Sequence, residues 1–121
     1  MSDLGTVLII DDDEDIRDMF EDLLVEEGYE LRVASSGEEG LEKFDPDIVK
    51  LVLCDLTMPG MGGIEVLTKI REQSKVPCII LSGNINPQSH KLCMKAGATD
   101  ILQKPIDYSY LKLRVKTNMA V

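Results

Sequence analysis

Short runs of branched apolar residues alternate along this chain with stretches whose apolar positions recur every three to four residues. The first run, Val7 to Ile10, has no polar alternation, which is typical of a strand covered on both faces. Similar runs predict further strands at 30–34, 51–54, 78–81 and 99–103. Because strands and helical stretches alternate in a chain of 121 residues, we predict one α/β domain with a five-stranded parallel sheet.

The helices are predicted from apolar stripes and from their end signals. After the first strand, Ile16, Phe20 and Leu24 lie on one helical face, and Gly28 ends the helix. Ser35 and Ser36 are a predicted cap, and Asn86 is a predicted N-cap with Pro87 in the first helical position. The predicted helices cover about 16–24, 36–44, 62–70, 87–95 and 107–119.

Charge and cysteine content narrow the range of functions. Thirteen Lys and Arg against 22 Asp and Glu give a formal net charge of −9, which disfavours direct nucleic-acid binding. Cys54, Cys78 and Cys93 lie in apolar segments, so we expect buried thiols in a reducing compartment. No segment approaches the roughly 20 apolar residues that span a bilayer. We therefore expect a cytoplasmic protein that does not enter membranes.

Polar side chains stand where four of the predicted strands end. Asp11 and Asp12 follow the first strand, Asp55 the third, Ser82 the fourth and Lys104 the fifth. Ligands of an open α/β sheet bind beyond the carboxyl ends of its strands. We therefore expect three carboxylates, a hydroxyl and an amine to meet at one edge of the sheet.

Carboxylates that converge in a partly desolvated cleft repel one another, and a divalent cation relieves that repulsion. Oxygen ligands favour magnesium, calcium or manganese; we expect Mg²⁺, with Mn²⁺ as the alternative. Because Mg²⁺ usually takes only one or two carboxylates, one carboxylate stays free as a nucleophile, and carboxylates accept phosphoryl groups in known enzymes. Lys104 and Ser82 would then meet the charge of the transferred group.

Taken together, these motifs resemble the receiver domain of response regulators in two-component signalling, over essentially all of residues 1–121. The matching segments are 7–13, 51–60, 79–83 and 97–105. The resemblance implies a doubly wound, flavodoxin-like fold with strand order 2-1-3-4-5. It also implies a phosphoryl donor, which is a sensor histidine kinase or a histidine phosphotransfer protein.

Carried over by position, the resemblance makes Asp55 the phosphoacceptor of a signalling switch that is not an enzyme acting on other substrates. Asp12 and Asp55 resemble the direct side-chain ligands of Mg²⁺. Asp11 resembles the ligand that acts through water, and Thr57 the one that offers its backbone carbonyl.

The remaining family positions concern the switch itself. Ser82 resembles the hydroxyl that moves to the phosphoryl oxygen, Lys104 resembles the ammonium that pairs with it, and Pro105 implies a cis peptide bond. The family usually has an aromatic residue at the position of Ile101, which reports the state of the hydroxyl. Because Ile offers no ring, we expect the output to run through the fourth helix or the neighbouring loops.

Two other functions stay open at this point. An aspartyl-phosphate hydrolase would use a similar nucleophile, but such enzymes place a second Asp where this chain has Thr57. A flavodoxin-like binding module would cradle a flavin phosphate in the loop after the first strand, where three consecutive Asp residues would repel it. The output partner is unspecified, and we expect phosphorylation-favoured dimers through the basic face formed by residues 91–121.

Overall fold

In the computed structural model, which describes residues 4–119, five strands alternate with five helices. The strands are β1 (Thr6–Ile10), β2 (Glu30–Ala34), β3 (Val49–Asp55), β4 (Cys78–Ser82) and β5 (Asp100–Gln103). The helices are α1 (Glu14–Glu26), α2 (Gly37–Lys43), α3 (Gly63–Arg71), α4 (Pro87–Ala96) and α5 (Tyr108–Met119). The predicted α/β alternation is confirmed.

The five strands form one parallel sheet in the order β2-β1-β3-β4-β5, which is the predicted order. At the centre, Ile9 of β1 lies opposite Val33 of β2 on one side and Leu53 of β3 on the other. Leu53 in turn lies opposite Ile79 of β4. Since the strands are parallel, the carboxyl ends of β1, β3 and β4 are neighbours at one edge, where the polar residues of the sequence motifs lie.

Both faces of the sheet are covered, which explains why the central strands lack polar alternation. On one face, Ile9 belongs to an apolar cluster with Phe20 of α1 and Leu111 of α5. On the other face, Ile10 belongs to a second cluster with Ile70 of α3 and with residues of α2 and α4. The three cysteines are free and buried. Within residues 4–119, no helix is long and apolar enough to cross a membrane.

The helix signals work as predicted, while two strands end later than predicted. Ser36 accepts a hydrogen bond from the Glu39 backbone N–H at the start of α2. Asn86 caps α4 and accepts a hydrogen bond from the Ser89 backbone N–H (2.9 Å). Asp55 and Ser82 are the last residues of β3 and β4, not the first residues after them, because the ladders to the next strands continue through them.

Candidate functional site

Three carboxylates meet at the carboxyl edge of the sheet. Asp11, Asp12 and Asp55 each offer a ligand oxygen, and these oxygens lie within 4.8 Å of one another. Asp11 is fully buried and Asp55 is 6% exposed, while Asp12 is open to solvent. The backbone N–H of Asp11 donates to the Ala34 carbonyl (3.1 Å), and Asp11 Oδ1 accepts from the Asp13 N–H (2.9 Å). These bonds fix the turn that leads from β1 into α1.

Lys104 places its ammonium group between two of these carboxylates. Its Nζ lies 3.1 Å from Asp11 Oδ2 and 3.3 Å from Asp55 Oδ1, and its side chain is 22% exposed. The backbone N–H of Lys104 donates to the Ser82 carbonyl (2.7 Å), so the end of β4 sets the position of this residue. The peptide bond between Lys104 and Pro105 is cis, as expected.

The electrostatics of the cluster follow from one ammonium facing three carboxylates. Burial, and then the charge of Asp11, raise the pKa of Asp55 to about 6, although Lys104 acts in the opposite direction. Burial of the Lys104 ammonium lowers its pKa, but the hydrogen bond and charge of Asp11, with the charge of Asp55, outweigh burial and raise it. Three carboxylates thus share the Lys104 ammonium, and an oxygen-only donor set of this kind fits Mg²⁺ or Mn²⁺.

The other predicted site residues lie close in the fold but outside this cluster. Ser82 is buried, and its hydroxyl accepts a hydrogen bond from the Asn84 backbone N–H (3.2 Å). Thr57 is exposed in the loop that follows Asp55. Ile101 of β5 is partly buried and packs against the apolar cluster on the α4 side of the sheet. The structure thus gathers the carboxylates and the ammonium, with the hydroxyl one strand away.

Two residues of the site were missed by sequence reasoning. Arg17 donates from Nη1 to the Asp11 backbone carbonyl (2.8 Å), and Glu38 Oε1 accepts from the Met61 backbone N–H (3.1 Å). Both partners are backbone groups, which every residue has, so no residue type in the sequence indicates these bonds. For Arg17 the available signal was its position as the one basic residue of α1. Glu38 stands in the first turn of a helix, where an acidic residue is favourable without any loop contact.

Comparison with known proteins places this geometry in a family. The response regulator receiver domain family matches residues 7–116. The transcriptional regulatory protein CseB of Streptomyces coelicolor is 34% identical over 116 residues, which cover 96% of this chain and 50% of CseB. The CpxR homolog of Haemophilus influenzae is 35% identical over 113 residues, which cover 93% of this chain and 49% of that protein. The chain therefore spans about half the length of these relatives.

A solved structure shows the same fold. The response regulator receiver domain protein of Methanospirillum hungatei, described as CheY-like, superimposes with a TM-score of 0.90 at 30% sequence identity. The superposition covers 96% of this chain and 94% of that protein. Strand order, the strand-end carboxylates and the family match agree with one another. The chain belongs to the response regulator receiver domain family.

Proposed function

We propose that Asp55 accepts a phosphoryl group from a phosphohistidine and that this transfer switches the domain between two signalling states. One observation carries the proposal: the buried Asp55 carboxylate lies 3.3 Å from the Lys104 ammonium, in reach of two further carboxylates. The donor would be a sensor histidine kinase or a histidine phosphotransfer protein. Membership of the receiver family supports both assignments.

Asp11, Asp12 and Asp55 are proposed to hold Mg²⁺, with Mn²⁺ as the alternative. Their oxygens lie within 4.8 Å of one another, and Mg²⁺ binds through one or two carboxylates while keeping waters and phosphate oxygens as its other ligands. We assign Asp12 and Asp55 as direct ligands, Asp11 as a ligand through water and Thr57 as the donor of a backbone carbonyl. The bound ion supplies positive charge to the phosphoryl oxygens.

The transfer uses the residues of the cluster in defined roles. One Asp55 oxygen attacks phosphorus, the bond from phosphorus to the donor imidazole nitrogen breaks, and that nitrogen leaves with the electron pair and binds a proton. Lys104, already held between Asp11 and Asp55, pairs with a phosphoryl oxygen. The Ser82 hydroxyl, which accepts from the Asn84 N–H, donates its own proton in a hydrogen bond to a phosphoryl oxygen. The chain thus assists its own phosphorylation and dephosphorylation and acts on no other substrate.

The output is proposed to run through α4 and the loops beside it. Ile101 packs on the apolar cluster that includes Cys93 of α4, so movement at the end of β4 can reach that helix through apolar contacts. Relatives of about twice the length are named transcriptional regulatory proteins. We infer that the output belongs to another domain or to a separate partner, and that phosphorylation favours dimers through the basic face of residues 91–121.

Intact-mass measurement after incubation with acetyl phosphate and Mg²⁺ tests the proposal. Wild-type protein should gain the mass of one phosphoryl group, and Asp55→Asn should gain none. Asp13→Asn is the matched control, since an Asn at this N-cap still accepts the Asp15 N–H hydrogen bond and leaves the acceptor carboxylate intact. An unchanged wild-type mass with acetyl phosphate and with phosphoramidate would overturn the assignment of Asp55.

A further inference from the structure

The loop from residue 57 to residue 62 joins β3 to α3 and is held to α2 by a single side chain. Glu38 Oε1 accepts a hydrogen bond from the Met61 backbone N–H (3.1 Å). The base of the loop is closed by the Gly63 N–H, which donates to the Leu56 carbonyl (2.9 Å). Among residues 4–119, no second side chain makes a hydrogen bond to the backbone of this loop. Glu38 thus supplies the polar tie between α2 and a loop whose Met58 and Met61 also pack against the apolar core.

The start of α2 lies directly against the loop. A Cβ atom added at Gly37 would lie 2.8 Å from the Met61 carbonyl oxygen, which leaves room only for glycine. At Gly60, which has φ +76°, an added Cβ would lie 3.4 Å from Glu38 Oε2. Ser36 caps α2 and fixes its first turn. The capped first turn of α2 therefore holds the Glu38 carboxylate beside the loop.

The bond between Glu38 and Met61 joins residues 23 positions apart in the sequence, so it connects the loop to a separate element of the fold. An ionised carboxylate that accepts from a backbone N–H forms a charge-assisted hydrogen bond, roughly twice as strong as a neutral one. The same loop begins with Thr57, whose backbone carbonyl we assign to Mg²⁺. The buried side chain of Met58 anchors the loop near Thr57, and Glu38 anchors the opposite end.

We propose that Glu38 is a positioning residue: it holds the 57–62 loop so that the Thr57 carbonyl is ready for Mg²⁺ before the ion arrives. Loss of a hydrogen bond made directly to a metal ligand typically lowers metal affinity about 10- to 100-fold, and Glu38 acts one step further out, through Met61. This inference rests on the proposed function, because it assumes the assigned metal site. It extends that site to α2, which contributes no ligand itself.

A purely structural role for Glu38 makes a different prediction. An acidic residue in the first turn of a helix stabilises the helix through its dipole, and its loss would lower thermal stability without changing Mg²⁺ affinity. Glu42 is the matched charge control: it lies exposed in the same helix, and its side chain makes no hydrogen bond or ion pair in the described part of the chain. Glu38→Ala and Glu42→Ala each remove one negative charge from α2.

Calorimetric titration with Mg²⁺ separates these roles in wild type, Glu38→Ala, Glu38→Gln and Glu42→Ala. We expect Glu38→Ala to raise the Mg²⁺ dissociation constant about tenfold, at the lower end of the usual effect. Glu38→Gln should recover part of this loss, because its neutral amide oxygen can still accept from the Met61 N–H, and Glu42→Ala should match wild type. In metal-free protein, the Met61 amide resonance should shift strongly in Glu38→Ala and not in Glu42→Ala.

The outcomes distinguish this inference from the function on which it rests. If wild type binds Mg²⁺ and Glu38→Ala binds it equally well, the positioning role is refuted while the metal site stands. If wild type binds no Mg²⁺, the proposed metal site and the positioning role both fail. If Glu42→Ala also weakens Mg²⁺ binding about tenfold, the change in net charge explains the loss of affinity. That result would also overturn the role of Glu38.

Discussion

Replacing the acceptor Asp55 by Asn should stabilise the metal-free domain above about pH 6. Burial and the charge of Asp11 raise the pKa of Asp55 from 3.8 to about 6, so the ionised carboxylate is less favourable in the folded protein than in the unfolded chain. The protonated Asp55 carboxyl contributes fully to the free energy of unfolding below pH 3.8, and this contribution is lost as the pH rises through 6. The difference between the two pKa values corresponds to up to roughly 3 kcal/mol of unfolding free energy.

Asn keeps the shape of the side chain but cannot ionise. The free-energy difference already includes the 3.3 Å contact between Lys104 and Asp55. The pKa of Asp55 reflects the attraction of Lys104 as well as burial and the repulsion by Asp11. Lys104 also keeps Asp11 as a partner at 3.1 Å. We therefore expect Asp55→Asn to be more stable than wild type by about 1 to 3 kcal/mol at pH 8, or about 4 to 12 °C in Tm, and equally stable at pH 3.5.

Urea unfolding at pH 3.5, 6 and 8 in the presence of EDTA measures this difference, with Asp13→Asn as the control that should follow wild type. Added Mg²⁺ should stabilise wild type more than Asp55→Asn, since the ion binds the folded site and the variant has lost a ligand. The reasoning is refuted if Asp55→Asn gains no stability at pH 8. It is refuted equally if the gain is the same at pH 3.5 as at pH 8.

Three further predictions concern the same edge of the sheet. The apparent Mg²⁺ dissociation constant should be about tenfold higher at pH 5 than at pH 7, because protons compete for Asp55 with its pKa of about 6; a flat profile between these values would argue against Asp55 as a ligand. Lys104→Ala should slow phosphorylation by acetyl phosphate at saturating Mg²⁺ by about 100-fold, and a time course of intact mass that matches wild type would contradict its role. Gly63→Ala should destabilise the fold by about 1 to 3 kcal/mol, since an added Cβ would lie 2.5 Å from the Asp55 carbonyl oxygen, and an unchanged Tm would show that the backbone yields freely.

The sheet and its helices could be predicted well because apolar runs and helix caps are patterns of residues close together in the sequence. The run from Val7 to Ile10 is buried on both faces, so every position is apolar, and its short length and β-branched residues favour a strand over a buried helix. Caps such as Ser36 and Asn86 mark helix starts through bonds made within three residues. The ends of β3 and β4 were misplaced by one residue because Asp55 and Ser82 are polar, although their backbones continue the ladder.

The site was predictable to the extent that the topology determines it. Once the strand order is known, Asp11 and Asp55 must end on adjacent strands, and Lys104 must follow the strand at the edge. The order of strands does not determine how deeply Asp55 is buried, and burial is the main cause of its raised pKa. That quantity depends on packing around the cleft, which no motif encodes.

Arg17 and Glu38, the two residues that sequence reasoning missed, support the site in the same way. Arg17 binds the Asp11 carbonyl and Glu38 binds the Met61 N–H, so each loop of the metal cluster is tied by a side chain of a neighbouring helix to its backbone. Ties to backbone groups hold the loops without occupying carboxylate oxygens, which must stay available to a cation and to a phosphoryl group. Asp11 differs, because its two oxygens accept from the Asp13 N–H and from Lys104, which suits the ligand that we assign to act through water. We therefore expect the carboxylates to bind the metal ion and, with Lys104, to carry out the phosphoryl transfer, while the outer contacts at Arg17 and Glu38 adjust the metal affinity.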